Sequence, residues 1–243
     1  MKNIIQVQNL TKKYGDFTAI DKLSFEVMEG DVFGFLGHNG AGKTTTISIL
    51  TTLLKPTSGD AIIGGFDLTK SSQDIRKIIG YVPENVQLYA SLTSYENLEF
   101  FAKLSGINKP AKRIDEVLDF LQASFFLKKK TGELSKGMRQ RIGLAQAIVH
   151  KPKILFLDEP TSGLDPMGIK DLRNILKRLN EEENITIFMN THLLSEVTKT
   201  CKTIGVLNHG KLIYKDTLEK TLSTFTTENS LEQIYSKIER NDD

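Results

Sequence analysis

The chain has 243 residues, of which 32 are basic and 30 are acidic, so that its net charge is +2. This near balance gives no reason to expect a nucleic acid as the main partner. The composition, with 39% hydrophobic and 26% charged residues, is that of an ordinary soluble protein. The length suffices for one large α/β domain, or for one core with an inserted subdomain.

Cys201 is the single cysteine, which excludes an internal disulfide and fits a reducing compartment. No second cysteine or neighbouring histidine pattern accompanies it, so we expect a buried structural thiol. The first residues lack the apolar stretch of a signal peptide, and no run approaches the roughly 18 apolar residues that span a bilayer. We therefore expect a cytoplasmic chain that needs a second protein to act across a membrane.

The first part of the chain is predicted to contain several short strands and one glycine-rich loop. Short apolar or alternating runs predict strands at 4–8, 23–27, 32–36, 60–63 and 78–82. Tyr14-Gly15-Asp16 is typical of a turn between the first two. The run at 32–36 suits a strand covered on both faces, and the glycines after it lead into an amphipathic helix.

Residues 84–150 have a different pattern, which predicts helices. Thr93 and Glu96 have the spacing of a capping box at a helix start. Two further apolar stripes at helical spacing follow, over 114–121 and 142–149. We interpret this block as a helical subdomain inserted into the core.

Strands and helices alternate again after residue 150. Strands are predicted at 154–157, 185–189 and 203–207, and a helix with an apolar stripe over 172–179. Asn208-His209-Gly210 is typical of a hairpin turn into a strand at 211–214. These patterns predict a largely parallel sheet within a single domain over 1–215. Helical spacing of Leu231, Ile234, Tyr235 and Ile238 predicts a short C-terminal helical tail at 216–243.

The glycine-rich loop has the pattern of a phosphate-binding loop, with four residues between Gly37 and Gly42-Lys43-Thr44. Its glycines permit backbone angles at which N–H groups converge on phosphate oxygens at a helix N-terminus. Lys43 can then reach the β- and γ-phosphates, and the Thr44 hydroxyl can ligate Mg²⁺. A glycine-rich turn that matches by chance is the alternative, but the predicted strand and helix on either side favour the phosphate loop.

Two carboxylates, Asp158 and Glu159, follow the apolar strand predicted at 154–157. A carboxylate at the end of an apolar strand is costly unless a cation meets it, so Asp158 suits Mg²⁺, held through water. Glu159 is placed to polarise an attacking water. Ordinary strand-end charges are the alternative, and two adjacent carboxylates downstream of a phosphate loop make it the weaker interpretation.

Further motifs resemble those of ATP-binding-cassette (ABC) ATPases. Residues 134–141, Leu-Ser-Lys-Gly-Met-Arg-Gln-Arg, resemble the ABC signature, whose usual core is Leu-Ser-Gly-Gly-Gln. His192 resembles the switch histidine, and Tyr14 the aromatic residue that stacks on adenine. The resemblance covers about residues 4–216. It implies an α/β fold with a P-loop NTPase core of the ABC type, an N-terminal antiparallel β-subdomain and the helical subdomain at 84–150.

The resemblance also implies ATP and Mg²⁺ as ligands, with Glu159 and His192 in catalysis. The expected ATP-binding residues are Tyr14, Gly37, His38, Asn39, Gly40, Ala41, Gly42, Lys43, Thr44, Thr45 and Glu84. The expected Mg²⁺ ligands are Thr44, Asp158 and Glu84. The signature residues expected at the ATP of a partner chain are Ser135, Lys136, Gly137 and Met138, and the residues that resemble the D-loop are Ser162, Gly163, Leu164 and Asp165.

Some residues depart from the family pattern. His38 stands where the family often has proline, and Lys136 and Met138 replace a glycine and the glutamine of the signature. Glu84 stands where glutamine is usual; it can ligate Mg²⁺ but cannot donate a hydrogen bond when ionised. Ser135 fits an anion cradle at a helix start and equally a plain N-cap.

The leading hypothesis is an ATP-hydrolysing subunit that closes as a homodimer, or as a heterodimer with a paralogue, and drives a separate membrane permease. Its Gly-Met-Arg-Gln-Arg signature resembles ATPases of ABC-2-type exporters of drugs, lipids, polysaccharides or ions. Such a subunit lies at the inner face of the cell membrane. A soluble ABC ATPase without a transport role is the alternative, although no heptad coiled coil or second cassette supports it. A kinase or GTPase is disfavoured because the signature has no use there.

Overall fold

The computed structural model describes residues 2–224, which divide into two compact units. The first contains residues 2–75 and 186–224, and the second contains Arg76–Ile185. In chain order the elements are β1 (Asn3–Tyr14), β2 (Phe17–Met28), β3 (Val32–Leu36), α1 (Lys43–Leu50), β4 (Ser58–Ile63), β5 (Phe66–Asp67), α2 (Ser72–Ile78), β6 (Ile79–Val82), α3 (Ser94–Leu104), α4 (Ala111–Phe120), α5 (Lys136–Ile148), β7 (Ile154–Asp158), α6 (Pro166–Glu181), β8 (Thr186–Thr191), α7 (Leu194–Thr200), β9 (Thr203–Asn208), β10 (Lys211–Thr217) and α8 (Leu218–Thr224).

The N-terminal strands form the predicted antiparallel sheet, in the order β2-β1-β4-β5. β1 and β2 each have 12 residues, so the predicted strands at 4–8 and 23–27 were too short. Register shifts interrupt the pairing between Val7 and Leu10 and again before Lys13. These bulges break the alternation of apolar residues. The sequence pattern therefore ended before the strand itself does.

A second set of strands in the first unit has the order β10-β9-β3-β8. β3 pairs in parallel with both β8 and β9, as the alternation of strands and helices predicted, and β10 pairs antiparallel with β9. His209 and Gly210 link β9 to β10, and both have positive φ, which matches the twist of a two-residue hairpin. The predicted hairpin is therefore confirmed.

Four phenylalanine rings join the two sets of strands in the first unit. Phe25 of β2 lies 5.7 Å from Phe33 and 5.6 Å from Phe35, both on β3, between ring centroids. Phe188 of β8 lies 5.2 Å from Phe33. The rings of Phe33, Phe35 and Phe188 are fully buried, so their packing adds ring–ring attraction to the burial of a large apolar area. Cys201 is buried in the same unit, as expected, and burial raises the pKa of its thiol.

The second unit contains the parallel pair β6 and β7 and four α-helices, α3 to α6. Both residues of the predicted capping box at the start of α3 make their bonds, because Thr93 accepts from the Glu96 N–H and Glu96 accepts from the Thr93 N–H. Asp165 caps α6 by accepting from the Gly168 N–H at 2.9 Å, with Pro166 at the first helical position. Sequence patterns therefore identified these helices correctly, whereas α2, α7 and β5 were not predicted.

The predicted boundaries of the inserted block, 84–150, and of the domain, 1–215, remain predictions. The apolar residues of the predicted tail, Leu231, Ile234, Tyr235 and Ile238, lie outside the described residues. Within the described part, α8 begins at Leu218 and no helix is long and apolar enough to cross a membrane.

His150 gives the second unit a pH-dependent stability. Its Nε2 lies 2.9 Å from the Ile79 carbonyl oxygen, and its buried Nδ1 has no hydrogen-bond partner among residues 2–224. Burial lowers the pKa of His150; Arg113 adds to this shift and the bond to Ile79 opposes it. The unfolded chain then binds more protons than the folded chain below about pH 6.5, so the free energy of unfolding falls as the pH drops through that value.

We expect His150→Gln, which does not titrate but keeps a donor for the Ile79 carbonyl, to remove this contribution. Urea unfolding at pH 7.5 and 5.5 measures it. The wild type should lose more stability than the variant on acidification, by at most about 1.4 kcal/mol per pH unit. Equal losses in the two proteins would contradict this assignment.

Candidate active site

The glycine-rich loop lies between β3 and α1, as the sequence predicted. α1 begins at Lys43, and the residue before it, Gly42, has φ of 105° and makes no side-chain cap. The first N–H groups of a helix have no acceptors within the helix itself, and glycine at the preceding position has no side chain with which to cap them. An anion at this position would satisfy these donors and be favoured by the helix dipole.

Two glycines of the loop lie against backbone carbonyls. A Cβ on Gly37 would lie 2.6 Å from the carbonyl oxygen of Leu207, and a Cβ on Gly42 would lie 2.5 Å from that of Ala19. Both distances are shorter than any real Cβ contact allows. These two positions therefore require glycine for steric reasons, independently of any ligand.

Lys43 is buried and folds back over the loop. Its Nζ donates to the Gly37 carbonyl oxygen at 2.7 Å and to the His38 carbonyl oxygen at 3.2 Å. The ammonium group is thereby held above the loop, at its N-terminal end. A lysine in this position can exchange carbonyl oxygens for phosphate oxygens without leaving the loop.

His192 follows the strand that pairs with β3. Thr191, the last residue of β8, is the register partner of Leu36, the last residue of β3. Gly37 and His192 come directly after these two residues, and the carboxyl ends of parallel strands lie at the same edge. This edge is where open α/β sheets bind their ligands, which agrees with the predicted site.

Tyr14 ends β1 at the first hairpin. Gly15 and Asp16 form the turn, and Tyr14 is the register partner of Phe17, which begins β2. Tyr14 is 50% exposed, and the Lys12 ammonium lies 5.1 Å from the centroid of its ring. A half-exposed tyrosine ring can stack on a planar base. Phe17, the register partner of Tyr14, lies two residues before Ala19, whose carbonyl oxygen lies close to Gly42 of the phosphate loop.

In the second unit, Asp158 ends β7 and is only 5% exposed. Burial and the nearby charge of Asp158 raise the pKa of Tyr81, on the paired strand β6, to about 12. Glu159 comes next, with φ of 44°, in the left-handed region that non-glycine residues rarely adopt. Such strain persists only where neighbouring contacts enforce it, and it concentrates at functional sites.

The signature residues lie at the start of α5. Ser135 is the N-cap, and its hydroxyl oxygen accepts from the Met138 N–H at 3.3 Å. The prediction that Ser135 is an N-cap is therefore confirmed. Apart from its chain neighbours and the backbone of its own helix, the nearest atom to a Cβ on Gly137 among the described residues would be a methyl carbon of Leu164, at 3.7 Å. Packing within this part of the chain thus does not explain why Gly137 is glycine.

Glu84 and the D-loop residues meet in the second unit. The Ser162 hydroxyl donates to Glu84 Oε1 at 2.9 Å, and Asp165 caps α6. The first unit thus contains the phosphate loop, His192 and Tyr14, and the second contains the carboxylates, the signature and the D-loop. Sequence reasoning missed the bond between Glu84 and Ser162 and the capping role of Asp165; the Asp-Pro pair at 165–166 was a usable signal for the cap.

Residues 20–162 match the family model described as ABC transporter. The chain belongs to the ABC transporter family. It is 46% identical over 213 residues to the bacitracin transport ATP-binding protein BcrA of Bacillus licheniformis, covering 88% of this chain and 69% of that protein. It is 40% identical over 220 residues to the probable multidrug ABC transporter ATP-binding protein YbhF of Escherichia coli, covering 89% of this chain and 37% of that protein.

Solved structures of ABC cassettes share the fold. The dimeric structure of MJ0796, a bacterial ABC transporter cassette, matches with a TM-score of 0.80 and 28% identity, covering 88% of this chain and 98% of that one. A structure of an ATP-binding subunit of an ABC transporter matches with a TM-score of 0.83 and 29% identity, covering 97% of this chain and 99% of that one. The chain is therefore an ATP-binding, ATP-hydrolysing subunit of an exporter-type ABC transporter.

Gly42→Ala should damage both the fold and ATP binding, because the new Cβ collides with the Ala19 carbonyl and the backbone has positive φ. Gly106→Ala is the matched control, since Gly106 has φ of 86° and open space around it. We expect Gly106→Ala to cost only the backbone strain of about 1–2 kcal/mol and to leave ATP affinity unchanged. Thermal unfolding and calorimetry with ATP make the comparison; equal effects of the two substitutions would rule out the steric explanation.

Proposed function

We propose that ATP binds at residues 37–45, with its phosphates at the start of α1 and its adenine against Tyr14. The position of the helix start directly after the glycine-rich loop, next to the Lys43 ammonium, is the observation that supports this most directly. Backbone N–H groups and one lysine would provide the positive potential that a triphosphate needs.

We further propose that Mg²⁺ is held by Thr44 and Asp158. The resemblance implied Glu84 as a third ligand, but Glu84 Oε1 accepts a hydrogen bond from Ser162, and we do not include it in the proposed ligand set. No cluster of three or more histidine, cysteine or acidic residues that could hold a metal occurs among residues 2–224. This donor set fits Mg²⁺, because Mg²⁺ keeps several waters and binds through one or two protein oxygens together with substrate phosphates.

In the proposed reaction, water attacks the γ-phosphate in line with the leaving group. Glu159 orients the water, and Lys43 and His192 stabilise the charge that develops on the phosphoryl oxygens. Bound Mg²⁺ would neutralise phosphate charge during this step. The chain thus contributes positioning and electrostatics rather than a covalent intermediate.

The active form is proposed to contain two chains, with the start of α5 of one chain contacting the ATP of the other. Gly137 supports this part of the proposal. Alanine is favoured over glycine in a helix, and the space around Gly137 admits a Cβ, so its glycine points to a requirement from outside the described residues. Gly143 of the same helix differs, because a Cβ there would lie 2.6 Å from Val86.

The proposed partner in the membrane is a separate permease, which would hold the chain at the inner face. The relatives' names concern bacitracin transport and multidrug transport, and on these we propose a drug-like exported substrate. Purification of the tagged chain from its own cells, followed by identification of bound membrane proteins, tests this. Recovery of the active chain without any polytopic partner would favour a soluble ABC ATPase instead.

Glu159→Gln should lower the rate of ATP hydrolysis by on the order of 10²-fold or more, because the amide is a poor partner for the attacking water. ATP affinity should remain near that of the wild type. Glu183→Gln, an exposed change of the same kind, is the control and should have no effect on either quantity. Wild-type turnover in Glu159→Gln would remove Glu159 from the proposed role.

Gly137→Ala should leave the fold intact, or stabilise it by up to about 1 kcal/mol, while it prevents ATP-dependent dimerisation. In the Glu159→Gln background, ATP with Mg²⁺ should convert monomers to dimers in sedimentation, and addition of Gly137→Ala should abolish the shift. ADP should produce no dimer. Monomers that hydrolyse ATP at the full rate would contradict the two-chain site.

A further inference from the structure

Glu84 and Lys136 are two of the residues that depart from the family pattern, and both contact the same two-residue segment. Glu84 Oε1 accepts from the hydroxyl of Ser162 at 2.9 Å. A Cβ on Gly163 would lie 2.6 Å from Lys136 Nζ and 3.1 Å from its Cδ, so the lysine side chain lies across Gly163. Glu84 and Lys136 also line one cavity of about 340 Å³.

This segment ends the turn that contains Glu159. The Ser162 N–H donates to the Glu159 carbonyl oxygen at 3.0 Å, and the Glu159 backbone has φ of 44°. A non-glycine residue holds such a conformation only if surrounding contacts fix the turn. Two contacts reach the turn from outside it: the hydrogen bond from Ser162 to Glu84, and the lysine stem across Gly163.

The position of Lys136 at the start of α5 explains how its long side chain can reach Gly163. Lys136 is the first residue of α5, so its backbone belongs to the helix that Ser135 caps, while its side chain extends beyond the helix start. Gly163 has φ of 66° and no side chain of its own, which leaves room for the lysine stem. Glycine at 136, as in the usual signature, would leave the same surface of Gly163 uncovered.

We propose that Glu84 and Lys136 are positioning residues for Glu159: they hold the turn of residues 159–163, and Glu84 acts through the Ser162 hydroxyl rather than as a magnesium ligand. The proposal rests on the role of Glu159 given above. It assigns a common role to the two departures from the family pattern, at residues 84 and 136. Displacement of the group that orients the water lowers the rate of hydrolysis but not the affinity for ATP. We therefore expect the effect in kcat.

A double-mutant cycle on the purified full chain tests the Glu84 arm. Glu84→Ala and Ser162→Ala should each lower kcat roughly tenfold, and the double variant should be no slower than either single one, because both remove the same bond. Glu84→Gln keeps an oxygen acceptor for Ser162 and should recover most of the loss. The KM for ATP and the half-saturating Mg²⁺ concentration should change less than about twofold.

Two results would overturn this arm. Losses that multiply in the double variant would show that Glu84 does not act through Ser162. A roughly tenfold rise in half-saturating Mg²⁺ in Glu84→Ala, absent in Ser162→Ala, would make Glu84 a magnesium ligand. Wild-type melting curves for all variants show that the fold is intact. Failure of the proposed function is distinguishable, since an inactive wild type or a fully active Glu159→Gln would reject the role of Glu159 itself.

A second cycle tests the Lys136 arm. Gly163→Ala should lower kcat more in the wild type than in Lys136→Gly, because the new methyl group meets the lysine stem only when the lysine is present. The strain of an alanine at positive φ is common to both backgrounds and cancels in the comparison. The same fold loss in both backgrounds would reject the contact between Lys136 and Gly163 as a determinant of the rate.

Discussion

The close approach of two glycines to backbone carbonyls is the constraint on which the nucleotide site depends. Gly37 lies against the carbonyl of Leu207 in β9, and Gly42 lies against that of Ala19 in β2. One contact therefore comes from each set of strands in the first unit. The phosphate loop can take its shape only when both sets are assembled, and the phenylalanine rings that join them, with Phe25 stacked on Phe33, hold that assembly together.

Two backbone hydrogen bonds add to this support next to Gly42, at Ala41. The Gly210 N–H donates to the carbonyl of Ala41 at 3.0 Å, and the carbonyl of Gly210 accepts from the Asp21 N–H at 3.0 Å. The hairpin between β9 and β10 thus links the phosphate loop to β2. Gly210 is required for two reasons. It has positive φ in the turn, and a Cβ on it would lie 2.8 Å from the carbonyl oxygen of Ala19.

Local patterns predicted the features that depend on local chemistry. The strand, loop and helix around Lys43, the capping box at Thr93 and the hairpin at His209 all follow from residues within a few positions of one another. Contacts between distant residues left no such signal: Glu84 and Ser162 are 78 positions apart, and nothing in either neighbourhood marks the pair. The length of β1 was missed for a related reason, because bulges interrupt the period that identifies a strand.

Ser135 shows how a structural role and a proposed functional one can share one side chain. A serine hydroxyl offers two acceptor lone pairs and one donor hydrogen. The Met138 N–H uses one lone pair, which caps α5, and leaves the hydrogen to be donated. The cap also fixes the rotamer of the side chain, so the hydroxyl is oriented before any phosphate arrives and little further entropy is lost on binding. The two interpretations that the sequence left open are therefore compatible, and the first prepares the second.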